Sequence, residues 1–562
     1  MPARFRQIAL TLVTAVALTI APSAQALQAP DLHTVDLVPG EGSSAARAFT
    51  RFNGWDYFVT GNDALEGAAT GIWRTNGATT ELIADNLILD IEVSNFGGVN
   101  RAFSVLGNYL YFTADDGSNG SELWRTDGSS VTMVANICSA GCDGAIGAPY
   151  TVGSWVYFMG DNGATGFELW RSNGSTTALV KDIVPGTVGS FPRDFFNYQG
   201  VLYFTYSNDA NGREIAKSNG TASGTVIYDL VAGSSGSSPF GFTAFASRLF
   251  FSANSQLWSL TATQAPAQFY APNASGNSYV HSLTVVGSVM FFAANDGVDG
   301  RELWVTTGDP TDPSATRQAY DIEEGAGDSN PMWLTAFGSR VYFSATTGGG
   351  GAELWSSNGF GNASQVAELA AGSNNSYPND LTVFAGSLYL FANDGELWRV
   401  TDSTTAKRQS MVPLWDNPID PIFEFLEVTL EVSGDKLYLH TGLPGAGQEF
   451  AWMQAPAAPK SIAAPAITGT AKVGKVLTGA RGSWSGVPSA ITSAQWYRCT
   501  AAGTTMPTTS SLSGCVAISG ATKATYKAVT ADKGKYLRLR VKAQNESGTV
   551  YRWSKATGKI AP

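Results

Sequence analysis

Histidine is almost missing from this chain, with three in 562 residues. So few imidazoles exclude a histidine-rich metal centre and a multi-histidine catalytic site. Charge is scarce as well: Asp, Glu, Lys and Arg make up 14% of the chain, against roughly 25% in ordinary soluble domains. No G-x-S-x-G, H-E-x-x-H or P-loop is present, which removes the commonest nucleophile, zinc-protease and nucleotide readings. Beyond the N-terminal region no stretch approaches ~18 consecutive apolar residues, so no membrane-spanning helix is predicted for the mature chain. Apolar periodicity of 3.6 residues is also missing over useful lengths, which argues against helical bundles. Cysteine is limited to two local pairs, Cys138/Cys142 and Cys499/Cys515. They lie in different segments without neighbouring histidines, so short-loop disulfides are predicted ahead of a metal site.

What the chain has in quantity is glycine, at 62 positions, and aromatic residues, with 29 Phe, 20 Tyr and 15 Trp. That combination favours short strands joined by turns. The length gives a prior of about three or four domains. Residues 1–26 read as an export signal. Arg4 and Arg6 give a positive start, residues 8–20 an apolar stretch too short to span a membrane, and Ala24-Gln25-Ala26 a cleavage site.

A repeat then runs through most of the chain. ELWRTDG (Glu122 to Gly128) returns as GIWRTNG at Gly71, ELWRSNG at Glu168 and REIAKSNG at Arg213. QLWSL at Gln256, ELWVTTG at Glu302, ELWSSNG at Glu353, ELWRV at Glu396 and EFAWM at Glu449 continue the series. Each unit runs apolar segment, β-rich run, Asp/Asn/Gly turn, ELW segment, second turn and a further strand. Four strands per unit at such a spacing match propeller blades better than solenoid repeats. Residues 32–40 (LHTVDLVPG) read as a fourth strand without its first three, while the last unit holds three strands without a fourth. Pairing the two would close a ring and remove a free edge. The expected fold class is therefore all-β: a closed propeller of eight or nine four-stranded blades over residues 27–453, followed by a small β-sandwich.

These motifs resemble the ELWxxDGT-type repeats of bacterial exported proteins, over about residues 31–453. The resemblance implies a propeller-like architecture and export, and no particular reaction. Units four, five and nine depart most, with Ala216 in place of tryptophan, a shortened turn, and EFAW.

Residues 454–466 (QAPAAPKSIAAPA) read as a Pro/Ala-rich linker. Beyond it the charge reverses. From residue 455 onward there are 15 Lys and Arg against Asp532 and Glu546, a net of +13; the rest, without Arg4 and Arg6, is 18 − 44 = −26. ITGTAKVGKVLTGARGSWSG, QWYRC and ISGATKATYKAVTADKGKYLRLRVKAQN resemble bacterial Ig-like modules of actinobacterial surface proteins, placing such a module at 467–562. In its strand YLRLRV, Leu537, Leu539 and Val541 are expected to face the core, and Arg538, Arg540 and Lys542 the solvent.

Chemistry is harder to place. Glu and Trp of ELW share one face of a strand; their recurrence in nearly every unit favours a structural role over nine copies of a sugar-binding pair. The Asp/Asn/Gly turns and the crossovers between units should collect acids on one face. Asp115, Asp116, Asp296 and Asp299 are the candidate calcium ligands there, with Asp161, Asp209 and Asp394 in equivalent turns. Plain turn chemistry explains the same residues. His33, His281 and His440 read as structural. The segments that break the template, 86–100 and 411–427, are where a catalytic carboxylate pair would be sought; no catalytic residue and no organic cofactor is nominated. The acidic part excludes nucleic acid as a partner. The expectation is an exported or cell-surface binding protein, its partner a polysaccharide or cell-envelope polymer. The alternative is a secreted carbohydrate-active hydrolase or lyase on the same scaffold.

Overall fold

The computed structural model describes residues 33–562 except 38–43, 45, 62–70, 86, 92–100, 140, 313, 361–362, 368, 371–373, 394–395, 403–404, 409–429, 444–446, 456, 488–489, 504 and 546. The segments 1–26 and 411–427 and the turn residue Asp394 therefore lie outside the described residues. Among those described there is no α-helix, and none is long and apolar enough to cross a membrane. The chain divides into two compact units, Thr34–Trp452 and Met453–Pro562.

The first unit is a run of antiparallel sheets. Numbered in chain order by their third strands, these are Gly71–Thr75, Ser121–Thr126, Glu168–Ser172, Gly212–Ser218, Gln256–Leu260, Arg301–Thr306, Gly351–Ser357, Glu396–Asp402 and Gly447–Gln454. Among the described residues eight of these sheets have four strands and the second has five. Sheet three shows the plan: Ala145–Val152, Trp155–Gly160, Glu168–Ser172 and Thr177–Lys181 follow one another as a simple meander. Second strands such as VYFM (Val156 to Met159) are buried on both faces, which is why they read as continuous apolar runs rather than alternating ones. The ninth sheet takes its fourth strand, His33–Val35, from the start of the chain.

Packing proceeds from sheet to sheet. Phe250 and Leu257 of sheet five meet Met290, Phe292 and Trp304 of sheet six. Phe291 and Val305 on the opposite face of sheet six meet Val341 and Phe343 of sheet seven. Leu37, Phe450 and Trp452 of the last sheet pack with Phe49, Phe58 and Trp73 of the first. Burying such side chains stabilises by roughly 1.5–3 kcal/mol each.

Both cysteine pairs are disulfides, Cys138–Cys142 and Cys499–Cys515, and no cysteine is free.

The second unit corrects two expectations. Residues 454–466 are not simply a linker: Ala457–Ala463 is a strand paired with Ser483–Val487. Pro459 is tolerated because it sits where the register shifts between Ala457 and Lys460. Asn545 Nδ2 donates to Ala457 O at 2.7 Å and ties this strand into the unit. The second correction is Arg538, which is buried at 1% exposure although Leu537, Leu539 and Val541 do fill the core. Residues after Cys499 fold back over the other face of the sheet. There the Arg538 guanidinium donates to the carbonyls of Ala502, Gly503, Thr505 and Ser554. Tyr497, Trp553 and Leu512 pack under the same cover.

Candidate functional site

The repeated glutamate is a staple. It sits on the third strand, buried, and its carboxylate accepts hydrogen bonds from the crossover that leads to the next sheet. Glu302 accepts from Ile322 N at 2.9 Å and from Ser329 N and Oγ at 2.9 and 2.6 Å. Glu168 accepts from Val184 N and Ser190 Oγ, Glu214 from Leu230 N and Ser237 N and Oγ, and Glu353 from Leu369 N and Ser376 Oγ. In sheet five Gln256 keeps the bond to Ser278 Oγ and turns its amide toward Asn273 O and Gly276 O. Glu122 takes the amides of Ile137 and Cys138, and Gly144 stands where the others have serine; a Cβ there would collide with the Glu122 carboxylate. Burial pushes Glu302 up to about 7, and raises Glu122 and Glu168 as well, against these bonds. Carboxylates so enclosed hold the fold and reach no solute. The matching tryptophans pack in the cores, as Trp170 does against Leu123 and Phe158.

The candidate calcium ligands lie in turns between second and third strands. Asp115 accepts from Gly117 N at 2.7 Å, and Asp116 from Ser118 N and Asn119 N, both at 2.9 Å. Asp296 likewise caps Val298 N and Asp299 N at 2.8 and 2.9 Å. Asp299 is held above the ordinary carboxylate range by desolvation and by the charges of Asp296 and Asp321. The structure thus brings Asp296 near Asp299, and Asp115 next to Asp116. Among the described residues no group of three or more His, Cys, Asp or Glu converges closely enough to hold a metal. Crossover acids do face these turns, and they too are engaged: Asp143 accepts from Ser121 N at 2.9 Å and Asp328 from Arg301 N at 2.6 Å.

Segment 86–100 contributes one unusual carboxylate. Ile88–Leu89 adds a short strand beside Tyr109–Asp115, and Asp90 then accepts from Ser121 Oγ at 2.8 Å. Burial raises Asp90, with the nearby Asp143 charge adding to the shift. Asp90 and Asp143 therefore flank Ser121 from two sides.

A further pattern was not visible in the sequence. The residue after the crossover serine takes a left-handed conformation in five consecutive sheets: Phe191, Ser238, Tyr279, Asn330 and Tyr377, with φ from 45 to 50°. Bulky side chains rarely adopt it. The serine carbonyl in each case accepts from the end of the second strand, as Asn295 N donates to Ser278 O at 2.8 Å and Asn393 N to Ser376 O at 2.8 Å. These bonds fix the chain's entry into the first strand, so the next side chain is turned outward. Tyr279 is 50% exposed and Tyr377 62%. Asn375 Nδ2 donates to the Tyr377 hydroxyl at 2.8 Å, and the Arg301 guanidinium lies 5.3 Å from the Tyr279 ring centre. Glycine would suit such a backbone, so an aromatic residue there is held against its conformational preference, which nothing in the sequence pattern announces.

No family model matches the chain, and no curated protein matches it. Solved structures with partial likeness include a puromycin-hydrolysing peptidase of Mycobacterium tuberculosis, at 13% identity and a TM-score of 0.32, covering 63% of this chain and 60% of that one. The extracellular domain of a putative one-component system from B. thetaiotaomicron aligns over 91% of this chain and 80% of its own, with 10% identity and a TM-score of 0.31. BamB from Moraxella catarrhalis aligns over 65% of this chain and 95% of its own, with 11% identity and a TM-score of 0.31. This chain thus spans less than two thirds of the peptidase it is compared with. Superpositions this loose transfer neither fold nor activity.

Proposed function

We propose that this is an exported surface-binding protein. In this reading the nine sheets form a closed β-propeller that serves as the recognition platform, and the basic C-terminal unit is an Ig-like β-sandwich that anchors or spaces it. The observation that carries the reading is the series of outward, left-handed aromatic positions, Tyr279 and Tyr377 foremost, which present flat rings suited to stacking on sugars or apolar groups. Closure is supported by the pairing of His33–Val35 with the last sheet and by the packing of that sheet on the first. Export is supported by the signal-like residues 1–26 and by two disulfides with no free cysteine. The resemblance to ELWxxDGT-type repeats and to actinobacterial Ig-like modules agrees with it.

The test is a glycan array run with the intact secreted chain and with Tyr279→Ala/Tyr377→Ala. Binding to neutral or cationic glycans that the double variant loses supports the platform. Equal binding by both proteins removes it.

A second reading, glycan hydrolysis, draws on the pair Asp90 and Asp143, one raised by burial and the other exposed. It predicts reducing-end release from a polysaccharide panel that Asp90→Asn abolishes; a panel without product ends it.

A further inference from the structure

The C-terminal unit carries a groove on the strand face away from its core. Strands Ile491–Cys499 and Tyr536–Asn545 pair so that Ser493 lies opposite Lys542, Gln495 opposite Arg540 and Tyr497 opposite Arg538. The cover formed by the residues after Cys499 reaches Arg538 and Arg540, the latter through Ser510 O, and leaves Lys542 outside those contacts. What results is a cavity of about 350 Å³ lined by Arg481, Thr492, Ser493, Gln495, Thr522, Arg540 and Lys542, among others. Three cations converge there, and among the described residues no acid is part of the lining. Of the two acids in the unit, Asp532 is fully buried and bonded to Arg498 and Tyr526, so it cannot neutralise the groove.

The cations differ in how they are held. Arg481 is exposed and anchored through one nitrogen, which donates to Thr492 O at 2.8 Å and Thr492 Oγ1 at 3.4 Å, leaving the rest of its fork directed by that one residue. Arg540 is sandwiched among the rings of Tyr497, Tyr551 and Trp553, at 5.0, 5.1 and 6.0 Å from their centres, and its Nε is buried without a hydrogen-bond partner. A guanidinium fixed by aromatic stacking is already oriented, so it loses little entropy when an oxyanion arrives. The hydroxyls of Ser493 and Thr522 add neutral donors and acceptors of the kind that address sugar hydroxyls.

We propose that this groove binds an acidic polysaccharide, with Arg481, Arg540 and Lys542 engaging its carboxylates and Ser493 and Thr522 its ring hydroxyls. The proposal rests on the reading of the C-terminal unit as an anchor, and it names the ligand class and the contact residues. Charge at +13 would draw any polyanion to the unit; the groove makes the stronger claim that a few side chains account for the binding.

The experiment uses the full secreted chain and polygalacturonate as probe, with a poly(glycerol phosphate) and neutral dextran in parallel arms, at about 0.05 M and about 0.5 M salt. Arg481→Ser/Lys542→Ser is compared with Lys472→Ser/Lys559→Ser, which removes the same charge from exposed residues outside the groove lining. The expected result is that the groove pair weakens polygalacturonate binding about tenfold and the outer pair about twofold or less. Dextran should not bind at either salt. Equal losses from the two pairs would overturn the groove while leaving a diffusely basic anchor. Stronger binding of the phosphate polymer, lost in the groove pair, would overturn the carboxylate assignment. No salt-sensitive binding of either polyanion by the unaltered chain would overturn the anchor itself.

Discussion

Two kinds of junction hold the nine sheets together. Between consecutive sheets the packed side chains are apolar, and from sheet five to sheet eight a threonine on the first strand donates to a carbonyl on the next: Thr243 to Leu283 O at 3.4 Å, Thr284 to Leu334 O at 2.9 Å, Thr335 to Leu381 O at 3.0 Å and Thr382 to Leu430 O at 3.4 Å. Where the last sheet meets the first, the chemistry changes. Glu431 stands at the threonine position and accepts from Ala48 N and Phe49 N at 3.2 and 2.6 Å. Asp56 stands where other second strands have Leu110, Val156 or Leu202, and is fully buried. It accepts from Ser433 Oγ and Tyr438 Oη, both at 2.7 Å, and from Lys436 Nζ at 3.3 Å and Arg51 at 2.9 Å. Burial, together with the Asp56 carboxylate, keeps the Tyr438 hydroxyl protonated far above its usual range.

The difference has a physical sense. Apolar faces of similar shape are nearly interchangeable, so any sheet could pack on any other. A buried charge network tolerates only the partner that satisfies it, because an unpaired buried charge costs several kcal/mol. The chain runs from His33–Val35 of the ninth sheet into the first, but that strand joins its own sheet by pairing alone. The three C-terminal strands of the last sheet are therefore held to the first without a covalent crossover, and this is the junction built to reject substitutes.

The largest effect should come from Asp56→Ala, which leaves the buried Lys436 with only the exposed Asp435 carboxylate and the Trp452 ring as partners, and removes the acceptor of Ser433 and Tyr438. We expect a loss of about 3–5 kcal/mol in denaturant unfolding of the first unit, against about 1 kcal/mol for Thr335→Ala at an ordinary junction. Comparable losses at both sites would erase the distinction. Asp56→Leu combined with Lys436→Met should recover most of the stability, yet yield mixed or associated species on size-exclusion chromatography if the charges select the partner.

Next in size is the crossover staple. Glu302→Ala should cost about 1–3 kcal/mol by leaving the buried Ile322 amide unpaired, while Ser329 N and Oγ keep the Arg301 carbonyl. Its pH signature has a definite sign. The folded-state value of about 7 lies above the ordinary 4.5, so the stability Glu302 provides is full below about 4.5 and is lost as pH rises through about 7. Glu302→Gln should flatten that decline when melting is followed from about pH 5 to pH 8. His281, on the neighbouring first strand, opposes it: burial lowers it from 6.5 to about 4, so its contribution is present above 6.5 and is lost as pH falls through about 4. A wild-type profile unchanged by Glu302→Gln would mean that the carboxylate stays in one state throughout.

The smallest expected effect is that of calcium. The oxygens of Asp115, Asp116 and Asp296 already cap backbone amides, so millimolar calcium and chelator should give the same melting temperature. A rise with calcium that Asp296→Ala removes would restore those turns as a metal site, through the linkage of ligand to the folded state.

Much of the first unit was legible because the ELW string marks the same strand each time, and turn residues punctuate the rest. The junction network was not. Asp56 and its partners at 433, 436 and 438 lie some 380 residues apart, and nothing local distinguishes a seam aspartate from a surface one. Arg538 was misplaced for a different reason. Strand alternation assigns one face to water, but the residues between Cys499 and Cys515 cover that face; Tyr497 and Trp553 on the same side were the available hint. The left-handed aromatic positions escaped because strain is a property of backbone angles, which side-chain patterning does not encode.

The arrangement around Arg538 has one more consequence. A protease that cut the peptide anywhere between Cys499 and Cys515 would release neither end. The disulfide keeps both halves tethered, and the guanidinium grips carbonyls at 502, 503 and 505 on the N-terminal side of most cuts. Such a nick would change the mobility of the chain on a reducing gel and little else. The nicked unit would persist as two peptides held by one disulfide and a guanidinium clamp.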